Sequence, residues 1–121
     1  MTTREAGASV RRRGDVAVIE LVGDVDARAE HVLAEAWTQA AGGRPGVVAL
    51  SFAGADFINS TGIALIVGLL ARARAEGIEV RAWGLSDHYR EIFEITRLAD
   101  FMRITSDETS AVQGAEGSSD D

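Results

Sequence analysis

Residues 47–52 read Val-Val-Ala-Leu-Ser-Phe, and residues 56–62 read Asp-Phe-Ile-Asn-Ser-Thr-Gly. The first run has the near-continuous apolar character of a strand that is buried on both faces. Beyond the second run, apolar residues recur at helical spacing at Ile63, Ile66, Val67 and Leu70. We predict a central strand followed by a helix that has Ser60 as its N-cap, continues to Glu76 and ends at Gly77.

Outward from this stretch, strand patterns and helix patterns alternate. The predicted elements are strands at 9–13, 16–22 and 78–83, helices at 27–41 and 86–96, and a short terminal element at 97–104. The first two strands form an antiparallel hairpin, and the later connections favour parallel pairing through right-handed crossovers. The expected fold is α/β, with a mixed central sheet of four to five strands and three or more helices mainly on one face.

A single domain is expected over residues 9–104 of the 121-residue chain. Residues 1–8 are expected to be a flexible N-terminus. Residues 105–121 contain five acidic residues and no arginine, so they carry most of the net charge of -7. Such a segment cannot bury enough apolar surface to offset the entropy of ordering, and we predict a disordered acidic tail.

Composition excludes several classes of function. All twelve basic residues are arginine and no cysteine is present. A Walker phosphate-binding loop, a Schiff-base enzyme, a disulfide framework and a thiolate metal site are therefore excluded. The two histidines are isolated in the sequence, so neither a metal site nor a base for a serine nucleophile is expected. We predict no enzyme and no cofactor.

Two further patterns bear on location and partners. A membrane span needs about 18 to 20 consecutive apolar residues, and a secretory signal needs an apolar segment near the N-terminus. The sequence contains neither, and we expect a cytoplasmic protein without membrane insertion. The basic run at residues 11–13 is too short for a nucleic-acid surface, so no nucleic-acid partner is expected.

Acidic side chains follow one predicted strand and precede the Ser60 helix. Asp24 and Asp26 come directly after the strand at 16–22, and Asp56 lies just before Ser60. Because the carboxyl ends of parallel strands meet at one edge of a sheet, these carboxylates and the Ser60 hydroxyl are expected to be neighbours. The alternative for Asp24 and Asp26 is a purely local role in a turn or a helix cap.

Two short motifs carry a resemblance to a known family. Residues 23–27 read Gly-Asp-Val-Asp-Ala, and residues 59–63 read Asn-Ser-Thr-Gly-Ile at the start of an apolar helix. This arrangement resembles the STAS domain family of bacterial anti-sigma factor antagonists, and residues 90–98 resemble the third helix of that family. The sequence departs from the family pattern at Asn59, where aspartate is usual, and at Arg97, where glycine is usual.

The resemblance implies a binding module. Its partner would be a serine kinase that is itself an anti-sigma factor, and binding of the unphosphorylated protein would release the sigma factor for transcription. Phosphorylation of Ser60 would end the complex, and a serine phosphatase would reverse the modification. The kinase would carry the ATP and magnesium, so no cofactor is implied on this chain, which would be a monomer or a weak homodimer.

Residues near Ser60 are the candidates for contact with that partner. They are Asp24, Asp26, Asp56, Asn59, Thr61, Gly62, Leu65 and Leu69. Leu65 and Leu69 lie on an apolar helix whose circumference is more than half hydrophobic. They form either part of a docking patch or part of the core.

A second interpretation keeps the STAS-like fold but has no phosphorylation switch. The chain would then be a scaffold subunit of a larger signalling assembly or an accessory subunit of a lipid-transport assembly. Ser60 or Thr61 would act there as a capping or modest regulatory residue. The size of the purified particle distinguishes this interpretation from the antagonist.

Overall fold

The structure is a computed structural model that describes residues 5–113. Its strands are β1 (Gly7–Arg13), β2 (Val16–Val25), β3 (Val47–Ile58), β4 (Glu79–Trp83) and β5 (Arg103–Ile104). Its α-helices are α1 (Glu30–Ala41), α2 (Ser60–Glu76), α3 (Asp87–Ile95) and α4 (Glu108–Val112). Two short 3₁₀ helices, Ala27–Ala29 and Leu98–Asp100, precede α1 and follow α3. No helix of the described part is long and apolar enough to cross a membrane.

The five strands form one mixed sheet in the order β1-β2-β3-β4-β5. β1 pairs antiparallel with β2 through the predicted hairpin, and the remaining neighbours pair in parallel. The predicted α/β fold with a mixed sheet of four to five strands is confirmed. Because β2, β3 and β4 run parallel, their C-terminal ends lie together at one edge of the sheet. We call this the carboxyl edge.

β3 is longer than the sequence pattern predicts. The apolar run ends at Phe52, but the strand continues to Ile58 by pairing with β2 as far as Val25. Two register shifts between β2 and β3 accompany this extension, one before Val22 and one after Gly23, and each places an extra residue in β3. Asp56 therefore lies within a strand, and Phe57 stands opposite Asp24 at the carboxyl edge.

Helices α1, α2 and α3 cover one face of the sheet, as predicted. Their apolar stripes pack on the inward-facing residues of β2, β3 and β4 to form the main core. Trp37 of α1 and Phe93 of α3 are fully buried there, and the rings of Phe52 and Phe93 meet edge-to-face with centroids 5.8 Å apart. Burial of each such side chain stabilises the fold by about 1.5–3 kcal/mol.

Helix α4 covers part of the opposite face of the sheet. Ala111 and Val112 are buried in a second, smaller core. The sheet residues of this core are Val16, Val18, Val47, Ala49 and Trp83. The prediction of a disordered tail from residue 105 is therefore wrong for residues 105–113, and residues 114–121 lie outside the described part.

Three arginines from the sheet hold α4 in place, and we call this set of contacts the α4 clamp. Arg11 and Arg13 of β1 donate to the Glu108 carboxylate over 2.9 and 3.0 Å. Arg81 of β4 is buried and donates from Nη1 to the carbonyl oxygens of Ala111 and Gln113 over 3.0 and 2.8 Å. These carbonyls end the helix and lack helical partners, so Arg81 satisfies them.

The chain start also differs from the prediction. β1 begins at Gly7, so the expected flexible segment at residues 1–8 overlaps an ordered strand. Residues 1–4 lie outside the described part. Arg12 supports the order of β1 by donating to the carbonyl oxygens of Gln39 and Ala40 in α1 over 2.9 and 2.8 Å.

Candidate functional site

The start of α2 is capped by Asn59. Its backbone is extended (φ -97°, ψ -176°), and its Oδ1 accepts a hydrogen bond from the Gly62 amide over 2.8 Å. Ser60 is the first residue of the helix, so the prediction of Ser60 as the N-cap is wrong. Asparagine and serine are equally good caps, and only the backbone geometry decides between adjacent candidates. Ser60 and Thr61 are both exposed, and the cap does not depend on either hydroxyl.

Gly62 fixes the position of α2 against the end of β2. A Cβ atom built on Gly62 would overlap the carbonyl oxygen of Val25, and Gly62 itself is buried. The same carbonyl accepts a hydrogen bond from the Asn59 amide over 3.3 Å. Only glycine permits this close approach of helix and strand. The first turn of α2 is therefore held by backbone contact, which leaves the Ser60 side chain at the surface.

The predicted acidic residues lie along the same carboxyl edge. Asp24 is half-buried near the end of β2, Asp26 follows in the turn to the first 3₁₀ helix, and Asp56 is exposed near the end of β3. Asp24 and Asp56 flank Phe57 in the sheet, since Phe57 stands opposite Asp24 and directly follows Asp56. The structure thus brings the three carboxylates to the edge at which α2 begins.

This edge is less acidic than its sequence suggests, because Arg28 lies within it. Asp26 Oδ1 accepts from the backbone amide and Nε of Arg28 over 3.0 and 3.2 Å, and Oδ2 accepts from Nη2 over 2.8 Å. These hydrogen bonds hold the pKa of the Asp26 carboxyl below its ordinary value and raise the pKa of Arg28. Asp26 therefore has the local capping role that the sequence left open. Sequence reasoning missed Arg28, although an arginine two residues after a capping aspartate was the available signal.

The apolar candidates on α2 divide into core and partly buried residues. Leu69 is only 4 % exposed and belongs to the main core, so it does not contribute to a docking surface. Leu65 is half-buried against that core. The large apolar side chains that are exposed on β2, β3 and α2 are instead Val22 at 40 %, Phe57 at 49 % and Val67 at 46 %, and Val67 borders a cleft with Leu98 and Phe101. The sequence of a helix that is apolar over most of its circumference does not reveal which side meets the sheet, and the structure decides for the core at Leu69.

Helix α3 braces the end of β3. Ser86 caps this helix, since its Oγ accepts from the Tyr89 amide over 3.3 Å. The Tyr89 hydroxyl then accepts from the Ile58 amide over 3.0 Å. Ile58 directly precedes Asn59, so this contact helps to position the cap of α2. Among residues 5–113, no group of three or more His, Cys, Asp or Glu side chains is placed to hold a metal ion.

The chain belongs to the STAS domain family, whose profile matches residues 8–111. The match ends inside α4 and so extends beyond the predicted domain limit at residue 104. The family assignment made from the motifs at residues 23–27 and 59–63 is therefore confirmed. A search for similar sequences among curated proteins finds no match.

Several solved structures share the fold. An anti-sigma factor antagonist from Mycobacterium paratuberculosis is 17 % identical, with a TM-score of 0.74 over 93 % of this chain and 95 % of that chain. The Bacillus cell fate determinant SpoIIAA in its phosphorylated form is 20 % identical, with a TM-score of 0.65 over 86 % and 96 %. SLC26A9 is 12 % identical, with a TM-score of 0.69 over 95 % of this chain but only 24 % of that chain. At such identities the similarity is one of fold.

Proposed function

We propose that the protein is an anti-sigma factor antagonist that binds an anti-sigma factor serine kinase while Ser60 is unmodified and is released when Ser60 is phosphorylated. The observation that carries this proposal is the arrangement at the start of α2, where Asn59 supplies the cap and Ser60 is exposed. A kinase can reach such a serine, and its modification leaves the cap in place. The protein would regulate sigma-factor-dependent transcription in the bacterial cytoplasm and would itself have no catalytic activity.

Phosphorylation would change the charge of the carboxyl edge more than its fold. In the kinase, Ser60 Oγ would attack the γ-phosphorus of ATP, lose its proton and form the new P–O bond as ADP leaves. The phosphoserine would carry about -1.5 to -2 charge at pH 7. A negative group at the first turn of a helix is favoured by about 0.3–1 kcal/mol, so α2 would remain folded.

Release of the partner would follow from this added charge. Moving a complex from almost fully bound to almost fully free requires about 5.5 kcal/mol of differential affinity. The new phosphate would lie at the same edge of the sheet as Asp24 and Asp56. It would face a partner that holds its own nucleotide phosphates. Like-charge repulsion and the cost of removing the phosphate from water in the interface would together supply an effect of this size. A serine phosphatase would restore the binding form.

The exposed apolar residues of the site are the proposed anchors for the partner. Phe57 stands between Asp24 and Asp56 at the carboxyl edge, and Val67 lies further along α2. Aromatic side chains at the centre of an interface commonly contribute most of the binding energy. Leu65 is half-buried, so it would make only a minor contact with the partner. Phe57 would thus be an apolar anchor with acidic neighbours, since it pairs with Asp24 and directly follows Asp56.

The proposal is tested by incubating the purified protein with ATP and the anti-sigma kinases encoded in the same genome. We expect incorporation of one phosphate, mapped to Ser60 by fragmentation mass spectrometry. Ser60→Ala should bind the kinase without being modified, and Ser60→Asp should bind at least about tenfold more weakly, a difference of about 1.4 kcal/mol. Thr61→Ala is the matched control, because Thr61 is the adjacent exposed hydroxyl.

Equal binding by Ser60→Ala and Ser60→Asp would overturn the switch. A phosphate mapped to Thr61 would move the site by one residue and contradict the assignment to Ser60. Size-exclusion chromatography tests the scaffold interpretation at the same time. A monomer or weak homodimer is expected, whereas copurification in a large particle or with membrane subunits would favour the scaffold.

A further inference from the structure

One exposed arginine lies within the acidic carboxyl edge. Arg28 is in the first 3₁₀ helix, its side chain is 47 % exposed, and its partner Asp26 is only two residues away. The ion pair uses one edge of the guanidinium group, formed by Nε and Nη2. A guanidinium group has five N–H donors in a plane, so a group held by one edge can bind a second oxyanion with the other.

The backbone brings this arginine close to Ser60. The carbonyl oxygen of Val25 accepts from the Asn59 amide over 3.3 Å and would overlap a side chain on Gly62. Three residue steps from Val25 to Arg28 span at most about 11 Å, and less where the chain turns into a 3₁₀ helix. The first 3₁₀ helix also packs directly against α2. The backbone of Arg28 is therefore held close to the start of α2, from where a long and exposed side chain can extend toward Ser60.

We propose that Arg28 binds the phosphate of phosphorylated Ser60 within the same molecule. This inference rests on the proposed function, because it requires a phosphate on Ser60. In the unmodified protein Arg28 neutralises Asp26. A phosphate dianion carries more charge than a carboxylate and offers three acceptor oxygens, so it competes with Asp26 for the guanidinium group or shares it.

This exchange of partners would give the phosphorylated state a structure of its own. Arg28 would hold the phosphate against the first turn of α2 and partly free the Asp26 carboxylate. The edge would then present both a more negative charge and a phosphate already bound within the molecule. A partner could not use that phosphate as a contact without first displacing Arg28, so the contact would favour release and slow rebinding.

The test uses protein with phosphoserine installed genetically at position 60, which requires no kinase. The second pKa of the phosphate is followed by ³¹P NMR as the pH is varied. We expect this pKa to be lower in the parent phosphoprotein than in Arg28→Gln by about half a unit or more, since a nearby cation favours the dianion. Asp26→Asn should lower it further, because it removes the competing carboxylate and leaves a residue that still caps.

Arg97→Gln is the matched control. Arg97 is also exposed and pairs locally with an aspartate, Asp100, over 2.7 Å. It follows α3, at the opposite end of that helix from the carboxyl edge, and its replacement should leave the phosphate pKa unchanged. Circular dichroism of each variant establishes that the fold is retained.

Identical phosphate titrations in the parent phosphoprotein and Arg28→Gln would overturn the inference. An equal shift in Arg97→Gln would also overturn it, because the effect would then reflect net charge. The outcome is separate from the proposed function. A protein that never binds a kinase can still show the Arg28 contact, and a protein that is switched by a kinase can lack it.

Discussion

The carboxyl edge and the α4 clamp both use arginine, but they use it in different ways. Arg81 in the clamp is 6 % exposed, and besides its ion pair with Glu79 it donates to carbonyl oxygens at the end of α4, about thirty positions further along the chain. Arg28 at the carboxyl edge is exposed and pairs with a carboxylate two residues before it. A buried arginine with distant partners cannot change partner unless the structure opens. An exposed arginine with a local partner can change partner while the fold stays intact.

The two regions also differ in what fixes their geometry. At the carboxyl edge, backbone contact between Gly62 and Val25 places the first turn of α2. The hydroxyl groups of Ser60 and Thr61 are not needed for the cap and are exposed for recognition and modification. At the α4 clamp, side chains hold the helix, and their removal is expected to release it.

The first prediction tests the backbone contact at the carboxyl edge. Gly62→Ala would force the start of α2 away from Val25, because a Cβ atom has no room there. Overpacking of this kind costs about 1–3 kcal/mol and more when backbone must move, so we expect a loss of about 3 kcal/mol in the free energy of unfolding. Urea denaturation measures it.

Gly68→Ala is the matched control within the same helix, since a Cβ atom there meets nothing within 4 Å. It should stabilise α2 by about 0.5–1 kcal/mol, because glycine is a poor helix former. Similar effects of the two alanine substitutions would contradict the claim that the carboxyl edge is built by close backbone contact.

The second prediction tests the buried arginine of the clamp. Arg81→Met keeps much of the side-chain volume but removes the donors to the Ala111 and Gln113 carbonyl oxygens. Leaving such groups unsatisfied costs about 1–3 kcal/mol, and we expect a loss of about 2 kcal/mol. Hydrogen exchange should accelerate in residues 108–112. Arg103→Met changes the exposed neighbour of Arg81 on β5 and should leave that exchange unchanged.

The sheet was predictable because its signals are local. Runs of apolar residues and the turn at Gly14 mark the strands, and the apolar period after Ser60 marks α2 to within one residue of its observed start. The extension of β3 and the clamp were not predictable in the same way. From the sequence alone, Glu108 is part of a polar segment. Its role depends on contacts with Arg11 and Arg13, which lie almost a hundred positions earlier in the chain.

The site was predictable in its location but not in its details. Strand polarity alone brings Asp24, Asp26 and Asp56 to the edge where α2 begins. The choice of Asn59 over Ser60 as the cap depends on one backbone angle, and the burial of Leu69 depends on how α2 lies on the sheet. Neither quantity is contained in a pattern of residue types.

The last prediction tests the exposed part of the clamp with acid. Hydrogen bonds from Arg11, and then from Arg13, lower the pKa of Glu108 from an ordinary 4.5 to about 2. Because the folded-state pKa is the lower one, the contribution of Glu108 is complete above about pH 4.5 and is lost as the pH falls toward about 2. Solvent screens this pair, so we expect a contribution of about 1 kcal/mol or less.

Unfolding measured by urea at pH 7 and at pH 3 checks this, together with hydrogen exchange in α4. Glu108→Gln should lose the contribution at pH 7 and show a weaker dependence on pH over this range. Glu20→Gln is the matched control, since Glu20 also accepts from Arg11, over 3.0 Å, but lies on β2 and not on α4. If Glu20→Gln and Glu108→Gln changed the exchange of α4 equally, the clamp would depend on the charge of Arg11 and not on a specific contact with Glu108. The contrast with the exchangeable pair at Arg28 would then rest on the buried Arg81 alone, because the contact of Arg11 with Glu108 would be one more interchangeable pair of surface charges.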